Sequence, residues 1–150
     1  GDNPLFLGCA DYRSTIASNG ESSGFTFPEE MRRHADKGTA LVTDKDPGDA
    51  EIAEVVSQAA AHSCIVLGTY NGHILQGQLR LAKALAATGL PMILVALRNP
   101  YDLRNMPDHV AALAGWEYTR PLFDALWPVL NGTARPTGKL PLLTLTKAAK

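Results

Sequence analysis

Two stretches of this chain, Ser63–Thr69 and Pro91–Leu97, are short, apolar and free of the alternation that marks a half-exposed strand. Runs of this kind suit strands buried on both faces, which occur where helices cover both sides of a parallel sheet. The segment between them has helical periodicity, and the strand–helix–strand order recurs along the chain. Strands alternating with helices imply parallel pairing through right-handed crossovers. The sequence therefore predicts an α/β fold, a three-layer α/β/α sandwich. Its sheet should be mostly parallel and doubly wound, with a flavodoxin-like strand order.

The elements follow in turn. Pro4–Cys9 reads as the first strand, and a polar, glycine-containing loop runs from about Asp11 to Gly24. Phe27–Ala35 reads as a short helix with Thr26 at its N-cap, Pro28 in its first turn and Glu29 and Glu30 near its positive end. Thr39–Thr43 is a second strand. Pro47–His62 is the clearest helix: Ile52, Val55, Val56, Ala59 and Ala60 form one stripe, and Asp46 is placed to cap it. Helix His73–Ala87 should bury Leu75, Leu79, Ala82 and Ala86, with Gly89 ending it. Val110–Gly115 is a shorter strand. Helix Arg120–Leu130 should pack Leu122, Leu126 and Val129, with Gly132 just past its end. Leu140–Thr146 is a possible edge strand at the C-terminus.

The 150 residues suffice for one domain with a real core, and no internal repeat or domain-sized linker divides them, so residues 1–150 are expected to form a single soluble α/β domain. A net charge of -1 gives no basic excess for tracking phosphates, so nucleic acid is not an expected partner. No apolar run approaches the roughly 20 residues of a membrane span, and no signal-peptide pattern opens the chain. It begins at Gly1 without a Met, as a processed or excised piece of something longer would. Cys9 and Cys64 would lie roughly 15 Å apart on parallel strands at about 3.3 Å per residue, too far to bridge, so they are read as buried thiols.

In open α/β sheets, ligands bind beyond the carboxyl ends of the strands. Here those ends carry Asp11, Tyr12, Arg13 and Ser14; Thr43 and Asp44; Tyr70, Asn71 and His73; Arg98, Asn99, Tyr101 and Asp102; and Glu117 and Tyr118. Solvation alone accounts for any single polar residue in a βα loop. Together they make this edge the expected contact surface, for substrate or for another domain.

Sharper motifs fail. Gly20-Glu21-Ser22-Ser23-Gly24 matches G-x-S-x-G but follows polar residues where a nucleophile elbow needs a strand. Gly132 through Lys139 has five residues between its glycines, not the four of a phosphate loop, and Leu140 stands where Ser or Thr must meet magnesium. Gly68, Gly72 and Gly77 do not give the dinucleotide fingerprint. His34, His62, His73 and His109 lack metal-ligand spacing. His34 and His62 suit helix C-termini, and only His73 opens onto the polar edge. Asp102 and Glu117 would converge at neighbouring strand ends, yet Glu117 suits a helix cap equally well, and no carboxylate pair stands out. No catalytic residue, metal site or cofactor is expected.

One resemblance is specific. Ile65-Val66-Leu67-Gly68-Thr69-Tyr70-Asn71, Gln76-Gly77-Gln78, and Val95 through Leu103 with its Arg98-Asn99-Pro100-Tyr101-Asp102 core resemble the C-terminal domain of family 3 glycoside hydrolases. The bacterial β-N-acetylhexosaminidase branch is the most similar. Trp116-Glu117-Tyr118-Thr119, Val129-Leu130-Asn131-Gly132 and Pro136-Thr137-Gly138-Lys139-Leu140-Pro141 fit the same pattern, and Arg13-Ser14-Thr15 fits it more loosely.

The resemblance implies an accessory α/β domain that follows a (β/α)8 catalytic barrel in the same chain. The family's nucleophilic Asp, and in this branch its His–Asp proton-transfer pair, lie on that barrel, so the domain alone is expected to be inactive. In the β-glucosidase branch a Glu from the second domain is the acid/base, but Glu21, Glu51, Glu54 and Glu117 do not match its motif. The implied setting is bacterial breakdown of N-acetylglucosamine-containing glycans such as cell-wall fragments. The parent's N-terminus would fix a cytoplasmic or extracytoplasmic location. The alternative is a free-standing module that holds a sugar or another small polar ligand on the same edge. A signalling receiver fits poorly, because Thr69-Tyr70-Asn71 stands where it needs an acidic residue.

Overall fold

The structure, a computed structural model, describes residues 2–10, 24–104 and 106–140. Five strands form one sheet: β1 (Pro4–Cys9), β2 (Thr39–Thr43), β3 (Cys64–Thr69), β4 (Met92–Ala96) and β5 (Ala111–Ala114). Their order is β2-β1-β3-β4-β5 and every pairing is parallel, which is the expected flavodoxin-like arrangement. Four helices connect or follow them: α1 (Phe27–His34), α2 (Asp49–Ala59), α3 (Gln76–Ala86) and α4 (Arg120–Leu130). A short 3-10 turn, Pro100–Leu103, stands between β4 and β5 where a helix would complete the alternation.

The strands' period of two divides the core into two layers. Leu5, Leu7, Ile65, Leu67, Met92 and Leu94 face α2 and α3. Phe6, Val66, Val95 and Leu97 face α1 and α4 with Phe27, Met31, Phe123 and Leu126. Each buried strand thus packs on both faces, which is why its sequence shows no alternation. Cys64 pairs with Pro4, at the opposite end of β1 from Cys9, and the two thiols share no disulfide.

Helix ends follow the sequence in part. Thr26 caps α1, accepting from the Glu29 N–H at 3.4 Å while its hydroxyl donates to Glu29 Oε2 at 2.6 Å. Thr119 caps α4 in the same way, accepting from Leu122 N–H. Asp46 does not cap α2, whose N-cap is Gly48 without a side-chain bond. Its Oδ1 instead accepts from the Gly77 N–H of α3 at 2.7 Å, because the unpaired N–H groups opening α3 lie within its reach.

α3 begins at Gln76, not His73, since Asn71 turns the chain at φ 57° and the His73 N–H is taken by Asp102. The helix therefore buries Leu81 and Leu85 beside Ala82 and Ala86, while Leu75 and Leu79 are only partly buried. In α4 the fully buried residue is Phe123, with Leu122 and Val129 half-buried, and Ala60 lies exposed past the end of α2. His62 Nδ1 meets Gln58 O at 3.0 Å, as a C-terminal cap would. His34 instead pairs with Asp124 at 3.0 Å and stacks on Trp127, joining α1 to α4. Leu140 is in no strand, and the rest of the expected edge strand, like most of the Asp11–Gly24 loop, lies outside the described residues.

Gly8 and Gly68 pair across β1 and β3. Together they leave a notch in the sheet that the Phe27 ring enters. A methyl group at Gly68 would overlap Phe27 Cδ1 and come within 2.8 Å of Leu97 Cδ1; one at Gly8 would lie 2.9 Å from Gly68 O. Gly68→Ala is expected to lower stability by about 1–3 kcal/mol, the usual cost of overpacking a filled core. Urea unfolding checks this, with Gly138→Ala, which meets nothing within 4 Å, as a control that should leave the midpoint unchanged. A Gly68 variant as stable as the parent would remove the notch argument.

Candidate functional site

The carboxyl ends of β1, β3, β4 and β5 carry the residues that the sequence singled out, and the structure sorts them into two groups. Asp11, Tyr12, Arg13 and Ser14 lie outside the described residues. Thr43, at the end of β2, is buried, and Asp44 gives its N–H to Glu51 Oε1 at 2.8 Å.

The first group centres on Tyr70 and Tyr118, whose rings meet edge to face at 5.5 Å. Both are buried. The Tyr118 hydroxyl accepts from the Phe27 N–H at 2.7 Å and donates to Cys9 O at 3.1 Å, so it ties the end of β1 to the start of α1. Arg98 donates to the Tyr70 hydroxyl at 2.6 Å and its guanidinium lies 5.4 Å from that ring's centre. Gln78, buried on α3, closes the loop below. Its Oε1 accepts from Tyr70 N–H, and its amide nitrogen donates to Tyr70 O and Lys45 O. The Thr69 hydroxyl, fully buried at the end of β3, has no hydrogen-bond partner among the described residues.

The second group centres on Asp102, which is wholly buried. Its Oδ2 accepts from Gly72 N–H at 2.9 Å, and its Oδ1 accepts from His73 N–H at 2.7 Å and faces His73 Nδ1 at 3.2 Å. A carboxylate is an acceptor, so this contact fixes Nδ1 as the donating nitrogen of His73 and turns Nε2 the other way. Asn99 caps the 3-10 turn, taking the Tyr101 N–H at 3.3 Å. Asp102 is thereby committed to holding the 71–73 turn, and it forms no open acid/base pair with Glu117, which is exposed past β5. Beside it His73, Gln76, Leu79, Lys83, Tyr101 and Arg104 line a cleft of about 380 Å³. A larger cleft of about 610 Å³ opens at the other end of the sheet, but its walls, among them Phe6, Val66, Ile93, Trp127 and Leu130, are mainly apolar and offer no polar constellation for chemistry.

Reasoning from sequence missed Trp116 and Ile74. Trp116 is 49% exposed and sits at φ 70°, a left-handed conformation that is costly for a bulky residue. Ile74, in the turn after β3, is 66% exposed. With Tyr101 they give the loops after β3, β4 and β5 one outward apolar side chain each. The available signal was a large apolar residue placed just past a strand end, outside any helical or strand periodicity. Among the described residues no cluster of three or more His, Cys, Asp or Glu could hold a metal ion, and no helix is long and apolar enough to cross a membrane.

No family model and no curated relative matches the chain by sequence. Solved structures do match it in three dimensions. A family 3 β-N-acetylglucosaminidase from Paenibacillus sp. str. FPU-7 superposes with a TM-score of 0.79 at 25% identity, covering 97% of this chain and 28% of its own. A fungal multi-domain family 3 β-N-acetylglucosaminidase that includes a GCN5-related glucosamine N-acetyltransferase region gives 0.72 at 18% identity, over 93% and 15% of the two chains. A β-glucosidase from Listeria innocua, solved with isofagomine, gives 0.67 at 15% identity, over 89% and 22%. The last two share the fold alone. In each case the chain spans less than a third of its relative's length. The resemblance to the C-terminal domain of family 3 glycoside hydrolases is borne out, with the bacterial hexosaminidase branch supported by the Paenibacillus structure.

Asp102→Asn tests the second group. An amide has one acceptor oxygen, so its NH₂ would oppose a backbone N–H in a buried site. A loss of about 1–3 kcal/mol is expected in chemical denaturation, with faster amide exchange at Gly72 and His73. Unchanged exchange there would show that Asp102 does not hold the turn.

Proposed function

Taking the fold of the family 3 C-terminal domain as premise, we propose that this chain is the accessory domain of a β-N-acetylhexosaminidase-type hydrolase. In this reading the domain packs the carboxyl edge of its sheet on an N-terminal (β/α)8 catalytic domain of the same polypeptide and walls one side of its cleft. The observation that carries the reading is the apolar rim on that edge, where Ile74, Tyr101 and Trp116 project from three successive loops. Trp116 bears the most weight. A backbone conformation that costs a non-glycine residue about 1–3 kcal/mol persists where its surroundings over-determine it, and such residues concentrate at functional surfaces.

The catalytic groups would then come from the partner domain. Asp102, Tyr118 and Gln78 are engaged in internal hydrogen bonds and hold the edge in shape. Glu117 and Asn99 remain where a glycan in the shared cleft would pass.

Two measurements test the proposal. In the full-length polypeptide, Trp116→Ser combined with Ile74→Ser is expected to loosen the packing, so that limited proteolysis releases the domain several-fold faster. An unchanged cleavage rate would overturn the packing. The second reading, a sugar-binding module, is favoured by the exposed rings of Trp116 and Tyr101, which are suitable surfaces for a pyranose face. Titration of the isolated chain with N-acetylglucosamine and diacetylchitobiose, followed by amide NMR, separates the two. Packing without intrinsic sugar recognition leaves Asn71, Asn99 and Glu117 unmoved. Saturable shifts clustered at those residues would establish the module reading instead.

A further inference from the structure

The cleft beside Asp102 has a chemistry that the accessory-domain reading does not use. One wall is a face of α3, on which Gln76, Leu79 and Lys83 recur at helical spacing. The other is the 3-10 turn and the residue after it, with Tyr101 and Arg104 three positions apart. His73 closes one end. Three of the six lining residues are thus basic types and none is acidic. Neither Lys83 nor Arg104 is in an ion pair with a carboxylate among the described residues. The Arg104 guanidinium rests over the Tyr101 ring at 4.6 Å and keeps its N–H groups for another partner.

The Asp102 carboxylate does not neutralise this surface. Asp102 is fully enclosed, and both its oxygens are engaged by the Gly72 and His73 N–H groups and by His73 Nδ1. What reaches the cleft from it is orientation: the imidazole is fixed by a buried partner, and its edge packs against Tyr101 at 5.8 Å. A lysine and an arginine levelled on an aromatic ring are groups that bind oxyanions when they converge, while a histidine whose Nδ1 donates to a buried carboxylate offers its Nε2 to a ligand hydroxyl. The volume, about 380 Å³, exceeds what a bare anion needs and falls in the range of small-molecule sites.

We propose that this cleft is a binding site for a small polar ligand bearing one oxyanion group, a carboxylate or a phosphate. Lys83 and Arg104 take the anion, His73 supplies a further polar contact, and the Tyr101 ring and Gln76 bound the ligand's neutral body. The site shares Tyr101 with the apolar rim and adjoins Ile74 through His73, and it does not rest on the hydrolase reading.

The test is a calorimetric and NMR titration of the purified chain with glucose 6-phosphate, glucuronic acid, glucose and inorganic phosphate. Saturable binding of either acidic sugar, with shifts at His73, Tyr101 and Arg104 and none from glucose at the same concentration, is the expected result. Binding of the sugar phosphate alone assigns the anion as phosphate; binding of glucuronic acid alone assigns carboxylate. Lys83→Gln and Arg104→Gln, both at exposed positions, should each weaken the bound acid roughly tenfold, the loss of one charge-assisted contact. Inorganic phosphate binding as tightly as glucose 6-phosphate would overturn the role given to Tyr101 and Gln76. Absence of saturable binding by both acids, equal binding of glucose, or unchanged affinity in both variants would overturn the site.

Discussion

The seat of Phe27 in the notch between Gly8 and Gly68 is the contact on which this architecture depends. It lets α1 approach the sheet closely enough for Phe27, Phe123 and Tyr118 to form one aromatic cluster, with ring centres 5.1–5.4 Å apart. That cluster brings α4 beside α1, and the buried Glu30 of α1 then meets Arg120 at the start of α4. The Tyr118 hydroxyl completes the arrangement by pairing the Phe27 N–H that opening the helix leaves without an intrahelical partner. Two missing side chains thus determine how one whole face of the sheet is covered.

Polar groups at the strand ends are used in the same economical way. Tyr70, Gln78, Asp102 and Tyr118 would each be costly to bury alone; backbone groups of other segments complete Gln78, Asp102 and Tyr118, and the Arg98 guanidinium donates to the Tyr70 hydroxyl. The result is an edge whose loops are held by side chains from elsewhere in the fold. Such an edge can present Trp116, Tyr101 and Ile74 outward in fixed positions, as an interdomain surface requires. The same rigidity serves the cleft between α3 and the 3-10 turn, where the fixed His73 is a product of that bonding.

How far this was legible in the sequence depended on the range of the interactions. The strands were legible because burial on both faces leaves continuous apolar runs, and α4 was legible to the residue because Thr119 and Pro121 mark its start locally. α1 was given one residue too many. The start of α3 was misplaced by several residues, since its cause lies in Asp102, some thirty positions away, and in the left-handed turn at Asn71. Asp46 was assigned to the nearest helix although its carboxylate serves α3. Three of the polar residues expected at the contact edge, Tyr70, Asp102 and Tyr118, are buried, and their side chains tie neighbouring segments together. Trp116 was quoted within a motif and not singled out, because nothing local announces a left-handed tryptophan.

The strand order carries a consequence for how the molecule forms. β1 lies inside the sheet, bonded to β2 on one side and β3 on the other, although it is the first element in the chain. Its anchoring contacts span long distances: Asn3 donates to the Ser63 hydroxyl across 60 positions, and Tyr118 reaches Cys9 across 109. The helices can form from local contacts, whereas the sheet's interior closes only after a long loop has been brought together, and loop-closure entropy is met before those contacts repay it. On a ribosome, the edge of β1 that pairs with β3 must therefore wait, open, until β3 has emerged, even when β2 already covers the other edge. Its short length and the polar segment that follows it limit the hazard of that interval.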